Sequence, residues 1–276
     1  MDLGIIDLEH TLSCGQAFRW WKRGESWEGV IGSSLVRLTQ KGNEIEVESD
    51  LSDKELERYF RADDDYESII KDISREPYVA ALARRYRGLR LLRQDPWECS
   101  ASYILATFSN IPRIKGMIEK VCTLYGKEIA PGIMSFPRPE DILRDEAAAE
   151  RCGLGFRCHR FLQFARQVSQ GEVDFDCLRG LSYESSHRAL VALEGIGDKV
   201  ADCIALFSLD HLEAFPIDVR ISRVLKDRYG MCGSYARLSR EARGRFGPYA
   251  GYAQEFIYYA EDKKNRQRSV LNPSGS

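Results

Sequence analysis

The chain has 276 residues, 40 Lys and Arg against 42 Asp and Glu, and a formal charge of −2. With 43% hydrophobic and 30% charged residues it reads as a globular protein of one large or two moderate domains. Near-neutral charge excludes a generally polycationic nucleic-acid binder. No apolar run approaches the roughly 20 residues of a membrane span, and no basic-then-apolar leader opens the chain. The expected place is therefore the cytoplasm with the chromosome, or the nucleus in a eukaryote.

In chain order, short alternating runs at 17–21, 27–31, 35–39 and 44–48, separated by Gly, Ser and Asn turns, predict an antiparallel meander. Ser52 and Glu55 have capping-box spacing and mark the change to helix. Helical apolar spacing then places helices at about 53–61, 66–73, 77–86, 96–107, 111–125, 139–151, 157–169, 183–193, 199–208, 218–228, 235–243 and 248–262. Arg84 to Arg93, Arg157 to Arg160, Arg237 to Arg245 and Lys263 to Arg268 are candidate basic faces on an otherwise neutral protein. The eight cysteines form no C-x-x-C pair and read as free, buried thiols, so no metal or iron–sulfur site is expected. Asn272-Pro-Ser-Gly-Ser reads as an unstructured end.

The most informative segment runs from Leu193 to Val219. Gly195 and Gly197 flank Ile196 between two helical patterns, and glycines at that spacing allow positive φ and close backbone approach. Free N–H groups there can hold a phosphate without reading sequence. Lys199 falls in the first turn of the second helix, where the dipole disfavours a cation. An amine nucleophile needs its pKa lowered by about 3 units from about 10.4. Ten helical residues span about 15 Å and the extended stretch to Asp218 runs about as far back, so the carboxylate is expected near the amine. Taken singly, each feature has an ordinary reading: a turn, a surface lysine, an N-cap. Their conjunction is what points to chemistry.

Beyond G-I-G-D-K-V-A-D-C and P-I-D-V, the chain contains S-C-G-Q-A-F-R-W (13–20), D-P-W-E-C (95–99), N-I-P-R-I-K-G-M (110–117), L-G-F-R (154–157) and G-P-Y-A-G-Y-A-Q (247–254). With these motifs in this order it resembles the 8-oxoguanine DNA glycosylase/lyases of the helix-hairpin-helix superfamily, over roughly 8–262. The resemblance implies an α+β, mostly α fold, with an N-terminal antiparallel sheet domain (1–93) packed on a two-lobed helical body (94–264) and a disordered tail (265–276). The helix-hairpin-helix would lie at about 186–206.

The resemblance also implies roles. Lys199 matches the lysine that attacks the sugar C1′, and Asp218 the aspartate that stabilises charge on the sugar. Gly15, through its carbonyl, and Gln254 match the groups that read the oxidised base, while Cys203 and Tyr258 match its two flanking faces. Phe156 matches the wedge, and Arg113 and Arg157 the readers of the opposite cytosine, next to Asn110. Gly195, Gly197 and Arg220 match phosphate contacts. The implied partner is double-stranded DNA containing oxidised guanine, bound by a monomer with no cofactor. Two positions depart from the pattern. Phe108 stands where an asparagine helps recognise cytosine, which speaks against strict cytosine preference. Arg220 replaces a histidine while keeping a cation. Alternatives from the same features are a monofunctional alkylpurine glycosylase, against which Lys199 speaks, and a non-catalytic DNA-gripping module, which leaves Asp218, Gln254 and Gly15 unexplained. An iron–sulfur glycosylase of the superfamily would need four C-terminal cysteines, and none follows Cys232.

Overall fold

Alternating apolar and polar residues after Trp20 build a four-stranded meander of β1 (Trp20–Arg23), β2 (Ser26–Ile31), β3 (Ser34–Lys41) and β4 (Glu44–Glu48), paired antiparallel in sequence order. This computed structural model describes residues 1–271, with side chains through 265. Before the sheet lies α1 (Leu8–Ser13), a short helix not expected from the sequence and capped by Asp7. After it come α2 (Asp53–Tyr59), α3 (Tyr66–Ile73), α4 (Pro77–Arg85), α5 (Pro96–Leu105) and α6 (Ile111–Tyr125). Both reciprocal bonds of the Ser52–Glu55 capping box are present at α2.

An unforeseen two-stranded hairpin, β5 (Glu128–Ala130) and β6 (Ile133–Met134), precedes α7 (Pro139–Leu143). The single helix expected at 139–151 is two pieces, because Asp145 leaves helical geometry and caps a 3₁₀ segment, Glu146–Cys152. The chain continues through α8 (Arg157–Ser169), the short unpredicted α9 (Phe175–Gly180), α10 (Tyr183–Val191), α11 (Asp198–Ser208), α12 (Val219–Tyr229), α13 (Tyr235–Phe246) and α14 (Ala250–Leu271). Backbone helix thus continues past 265, where an unstructured tail was expected; residues 272–276 of that tail lie outside the described residues.

Two apolar cores result. The smaller, with Trp20, Trp27, Leu38, Leu56 and Phe60, lies under the sheet. The larger fills the helical body and takes in Tyr66, Ile69, Val79 and Leu82 of α3 and α4. Arg61, 1% exposed, and Arg93 both reach Asp210 Oδ1, at 2.6 and 2.8 Å, and pin the N-terminal part to the loop after α11. Arg90 is also buried, donating to the Ile5 carbonyl. Arg90 and Arg93 therefore serve as structural ties and form no basic face. Helix α11 threads the centre, buried from Val200 to Ser208. Five of the eight cysteines are buried as expected, but Cys177 and Cys232 are exposed. Among the described residues no helix is long and apolar enough to cross a membrane.

Candidate active site

Between α10 and α11 the chain turns through Leu193–Gly197, and the two glycines do different work. Gly195 has φ +89, and a Cβ there would lie 2.8 Å from Cβ of Arg160 on α8, so both conformation and packing demand glycine. Gly197, expected to share the positive φ, has φ −94 and N-caps α11. A Cβ there would meet nothing within 4 Å. Its bareness leaves the first-turn N–H groups of α11 uncovered, the arrangement that holds an anion.

One turn in, Lys199 opens onto a cavity of about 850 Å³. Its amine lies 5.4 Å from the centroid of the Tyr103 ring, and among the described residues no carboxylate oxygen is within ion-pair distance of it. Asp218 lines the same cavity after the return along Glu213–Ile217. Its Oδ1 accepts the Ile221 N–H at 2.8 Å, the expected N-cap of α12. The return is held by a buried network that sequence reading missed. Asp202, fully buried on α11, accepts from Tyr183 at 2.5 Å and Tyr235 at 2.6 Å, and the Tyr235 hydroxyl accepts the Ile217 N–H at 3.2 Å. Tyr235 thus ties the helix carrying Lys199 to the residue before Asp218. Burial raises the Asp202 carboxyl, and the two tyrosine hydrogen bonds oppose that rise.

The walls divide into flat faces and polar edges. Cys203, 2% exposed, and Tyr258 supply apolar surface; burial pushes the Cys203 thiol up to about 12, so it is neutral. Gly15, at φ +95, fits against Ile111 Cδ1, 3.0 Å from where its Cβ would be, with Tyr258 just beyond. Its neighbour Gln16 is also buried, but its amide is saturated by backbone: Nε2 donates to Arg90 O and Thr11 O, and Oε1 accepts from Leu92 N. Gln254 is the opposite case. It is 4% exposed, lines the cavity, and its Oε1 is buried without a partner. A buried amide oxygen left unpaired costs on the order of 1–3 kcal/mol, which a hydrogen-bonding ligand would relieve.

Glu255, beside it, was not singled out by sequence. It too is buried, lines the cavity and has an unpartnered Oε1. Burial pushes its carboxyl up to about 7; a hydrogen bond from Cys14 and the Lys199 charge oppose the rise, while Asp262 and Asp218 add to it. Arg220 lines the rim, paired to Asp262 at 2.8 Å with its guanidinium 5.5 Å from the Tyr258 ring centroid.

At the mouth, Phe156 is 54% exposed as befits a protruding side chain, and Arg113 is exposed at the start of α6. The Asn110 side chain caps that helix, accepting Arg113 N at 3.0 Å. Arg157 packs inward in this structure. Expected beside Arg113 as a reader of a base, it is 2% exposed and donates to the carbonyls of Thr107 (2.8 Å), Phe108 (3.0 Å) and Leu154 (3.4 Å). Thr107 and Phe108 lie in the turn after α5, and the guanidinium supplies donors to their carbonyls. The cavity thus gathers the Lys199 amine, which among the described residues has no carboxylate in ion-pair range, the Asp218 carboxylate, two apolar faces and unmatched polar edge groups.

Comparison with known proteins places the chain in a family. Residues 2–99 match the family model for the 8-oxoguanine DNA glycosylase N-terminal domain. N-glycosylase/DNA lyase OGG1 of Arabidopsis thaliana is 30% identical over 282 aligned positions, covering 93% of this chain and 77% of that protein. The N-glycosylase/DNA lyase of Saccharomyces cerevisiae is 26% identical, covering 92% and 83%. The 8-oxoguanine glycosylase/lyase of Clostridium acetobutylicum, in complex with double-stranded DNA containing cytosine opposite 8-oxoguanine, superposes with a TM-score of 0.88 at 28% identity, over 94% of this chain and 93% of that one. The chain belongs to the 8-oxoguanine DNA glycosylase/lyase family. It is a bifunctional enzyme that removes the oxidised base and cuts at the resulting site.

Proposed function

We propose that Lys199 is the nucleophile of this reaction and Asp218 its electrostatic partner, acting on 8-oxoguanine turned out of duplex DNA into the cavity. What supports this reading is that Lys199, Asp218, Gly15, Gln254, Cys203 and Tyr258, from four separate segments, line one cavity. The Lys199 amine bonds to C1′ as the C1′–N9 bond breaks, and the bonding pair leaves with the base, which takes up a proton. The Asp218 carboxylate offsets the positive charge developing on the sugar. Sugar opening gives an imine that acidifies the adjacent C–H; loss of that proton to water expels the 3′ phosphate, and hydrolysis of the imine frees the lysine. The steps balance without a metal or organic cofactor, and one chain carries every group they use.

The Gly15 carbonyl accepts the N7–H that only the oxidised base carries, so guanine would leave that acceptor unmet. Gln254 Oε1 gains its missing donor from the base edge, and Cys203 and Tyr258 flank the ring. Phe156 fills the vacated place in the helix, offsetting part of the few kcal/mol lost on flipping. The hairpin at Gly195 and Gly197, with Arg220, holds phosphates, and Arg113 and Asn110 face the opposite strand, with Arg157 supporting their turn.

Borohydride reduction of the imine tests the assignment. Wild-type protein mixed with DNA containing 8-oxoguanine gives a covalent adduct, and Lys199→Gln gives none while retaining DNA binding. An adduct that survives that change removes Lys199 from the role. Asp218→Asn keeps the cap acceptor without its charge and should slow excision about a hundredfold or more; full activity would remove Asp218 from its role.

A further inference from the structure

Phe108 is 90% exposed, more than any other large apolar side chain among the described residues, and sits at the cavity mouth. Its backbone is left-handed, φ +50, a conformation that bulky residues avoid and that is retained where surroundings impose it. Those surroundings are Arg157, whose buried guanidinium holds the carbonyls of Thr107 and Phe108. The same guanidinium lies 4.4 Å from the centroid of the Phe156 ring. One arginine therefore fixes two aromatic side chains in the open, with ring centroids 6.3 Å apart and planes inclined at 59°. Among the described residues the Phe108 ring has the Phe156 ring as its aromatic neighbour and stays almost wholly in solvent, so folding gives it little burial and the left-handed backbone is the strain the fold carries.

Base planes in duplex DNA are nearly parallel. Two rings inclined at 59° do not both fit one gap between such planes, so they serve different bases. Phe156 is already assigned to the vacated place. Phe108 stands on the turn that leads to Asn110 and the exposed Arg113, the part proposed to face the opposite strand. We infer that Phe108 is a second wedge, which stacks on the base left without a partner in the opposite strand and holds it by its face. A ring has no donors or acceptors with which to read base edges, and every base has a π-face. This stack itself holds any opposite base alike. This inference rests on the assignment of Phe156 and of the flipping reaction given above.

The experiment uses the full chain and duplexes with 8-oxoguanine opposite each of the four bases, together with a duplex carrying 2-aminopurine opposite the lesion, whose fluorescence falls on stacking. For wild type, kcat/KM should differ among opposite bases by less than about tenfold. Phe108→Ala should lower it for all four by roughly 5- to 150-fold, the range for one lost base–aromatic stack. Wild-type binding should quench the opposite-strand probe, and Phe108→Ala should release that quench; borohydride adducts should still form. Phe156→Ala, in contrast, should suppress adduct formation from duplex while single-stranded substrate still traps. Strong cytosine preference in wild type, or a probe indifferent to Phe108→Ala, overturns the inference. Loss of adducts in Phe108→Ala on single-stranded substrate as well would place Phe108 in the chemistry and also overturn it. Because Phe108 is exposed, its variants should unfold at or above the wild-type temperature, which separates these outcomes from misfolding.

Discussion

Two turns border the cavity and both hold a residue at positive φ, but they solve opposite problems. In the hairpin before α11, Gly195 takes φ +89 and its backbone packs on the Arg160 stem. There the useful groups are main-chain N–H donors, and absence of a side chain is the asset. In the turn after α5, Phe108 takes φ +50 with its ring in solvent and a buried arginine bracing its carbonyls. There the useful group is the side chain, and conformational strain is tolerated for its sake. In these two turns a left-handed residue thus has two meanings. Glycine marks a surface that needs backbone, and a braced aromatic marks one that needs a ring.

The sharpest way to break the first half of that contrast is Gly195→Ala. Left-handed geometry costs a non-glycine residue about 1–2 kcal/mol, and the new Cβ would overlap Arg160, adding overpacking strain of roughly 1–3 kcal/mol. Thermal unfolding should drop by several degrees and DNA affinity should fall with it. Gly197→Ala is the control: φ −94 and open space predict unchanged unfolding, so any loss of affinity there reports on phosphate binding alone. Equal destabilisation by both would show that the hairpin glycines are merely structural.

Next in size is a pH effect from the cavity itself. The Glu255 carboxyl is pushed up to about 7 in the fold from an ordinary 4.5. Between those values the folded chain keeps a proton that the unfolded chain has released, so stability is present at pH 4.5 and is lost as pH rises toward 7 and above. The size is at most about 3 kcal/mol. Glu255→Gln should remove that slope, so its stability relative to wild type improves between pH 5 and pH 8 in urea titrations. A difference independent of pH would show that Glu255 ionises normally. Tyr235→Phe comes third. It deletes the hydroxyl joining Asp202 to the Ile217 N–H and leaves a buried carboxylate short of a donor, worth about 1–3 kcal/mol. If its function is to position Asp218, kcat should fall while KM for DNA stays within about twofold; a change in KM alone would count against that.

Much of this is legible in the sequence. The meander, the capping box and the longer helices follow from period and punctuation, and the hairpin with Lys199 and Asp218 stood out by spacing. What escaped did so for physical reasons. Helices α1 and α9 are six residues each, too short for a 3.6-residue period to register, and each is announced only by a capping Asp. Tyr235, Tyr103 and Glu255 have no local pattern; their importance comes from what packs around them across distant segments. Arg157 has a second aspect that no motif announces, since its guanidinium donates to three backbone carbonyls, two of them in the turn after α5. Gln16 and Gln254 make the same point: both are buried amides in recognisable motifs, and only hydrogen-bond accounting distinguishes the brace from the candidate reader.

The smallest expected effect tests the second half of the contrast. Phe108→Gly relieves the left-handed strain at a position where the lost ring covers nothing, while returning backbone freedom to the unfolded chain. Strain relief of about 1 kcal/mol or more against an entropy term of about 0.5–1 kcal/mol leaves a net change near zero or slightly stabilising. Phe108→Ala keeps the strain and loses the ring, so the glycine variant should unfold at a higher temperature than the alanine variant by one or two degrees, although both remove the same side chain from the DNA. A glycine variant less stable than the alanine one would mean that the turn is not strained and that Arg157 merely neutralises two carbonyls. The ring's exposure would then be an accident of the loop rather than something the arginine maintains.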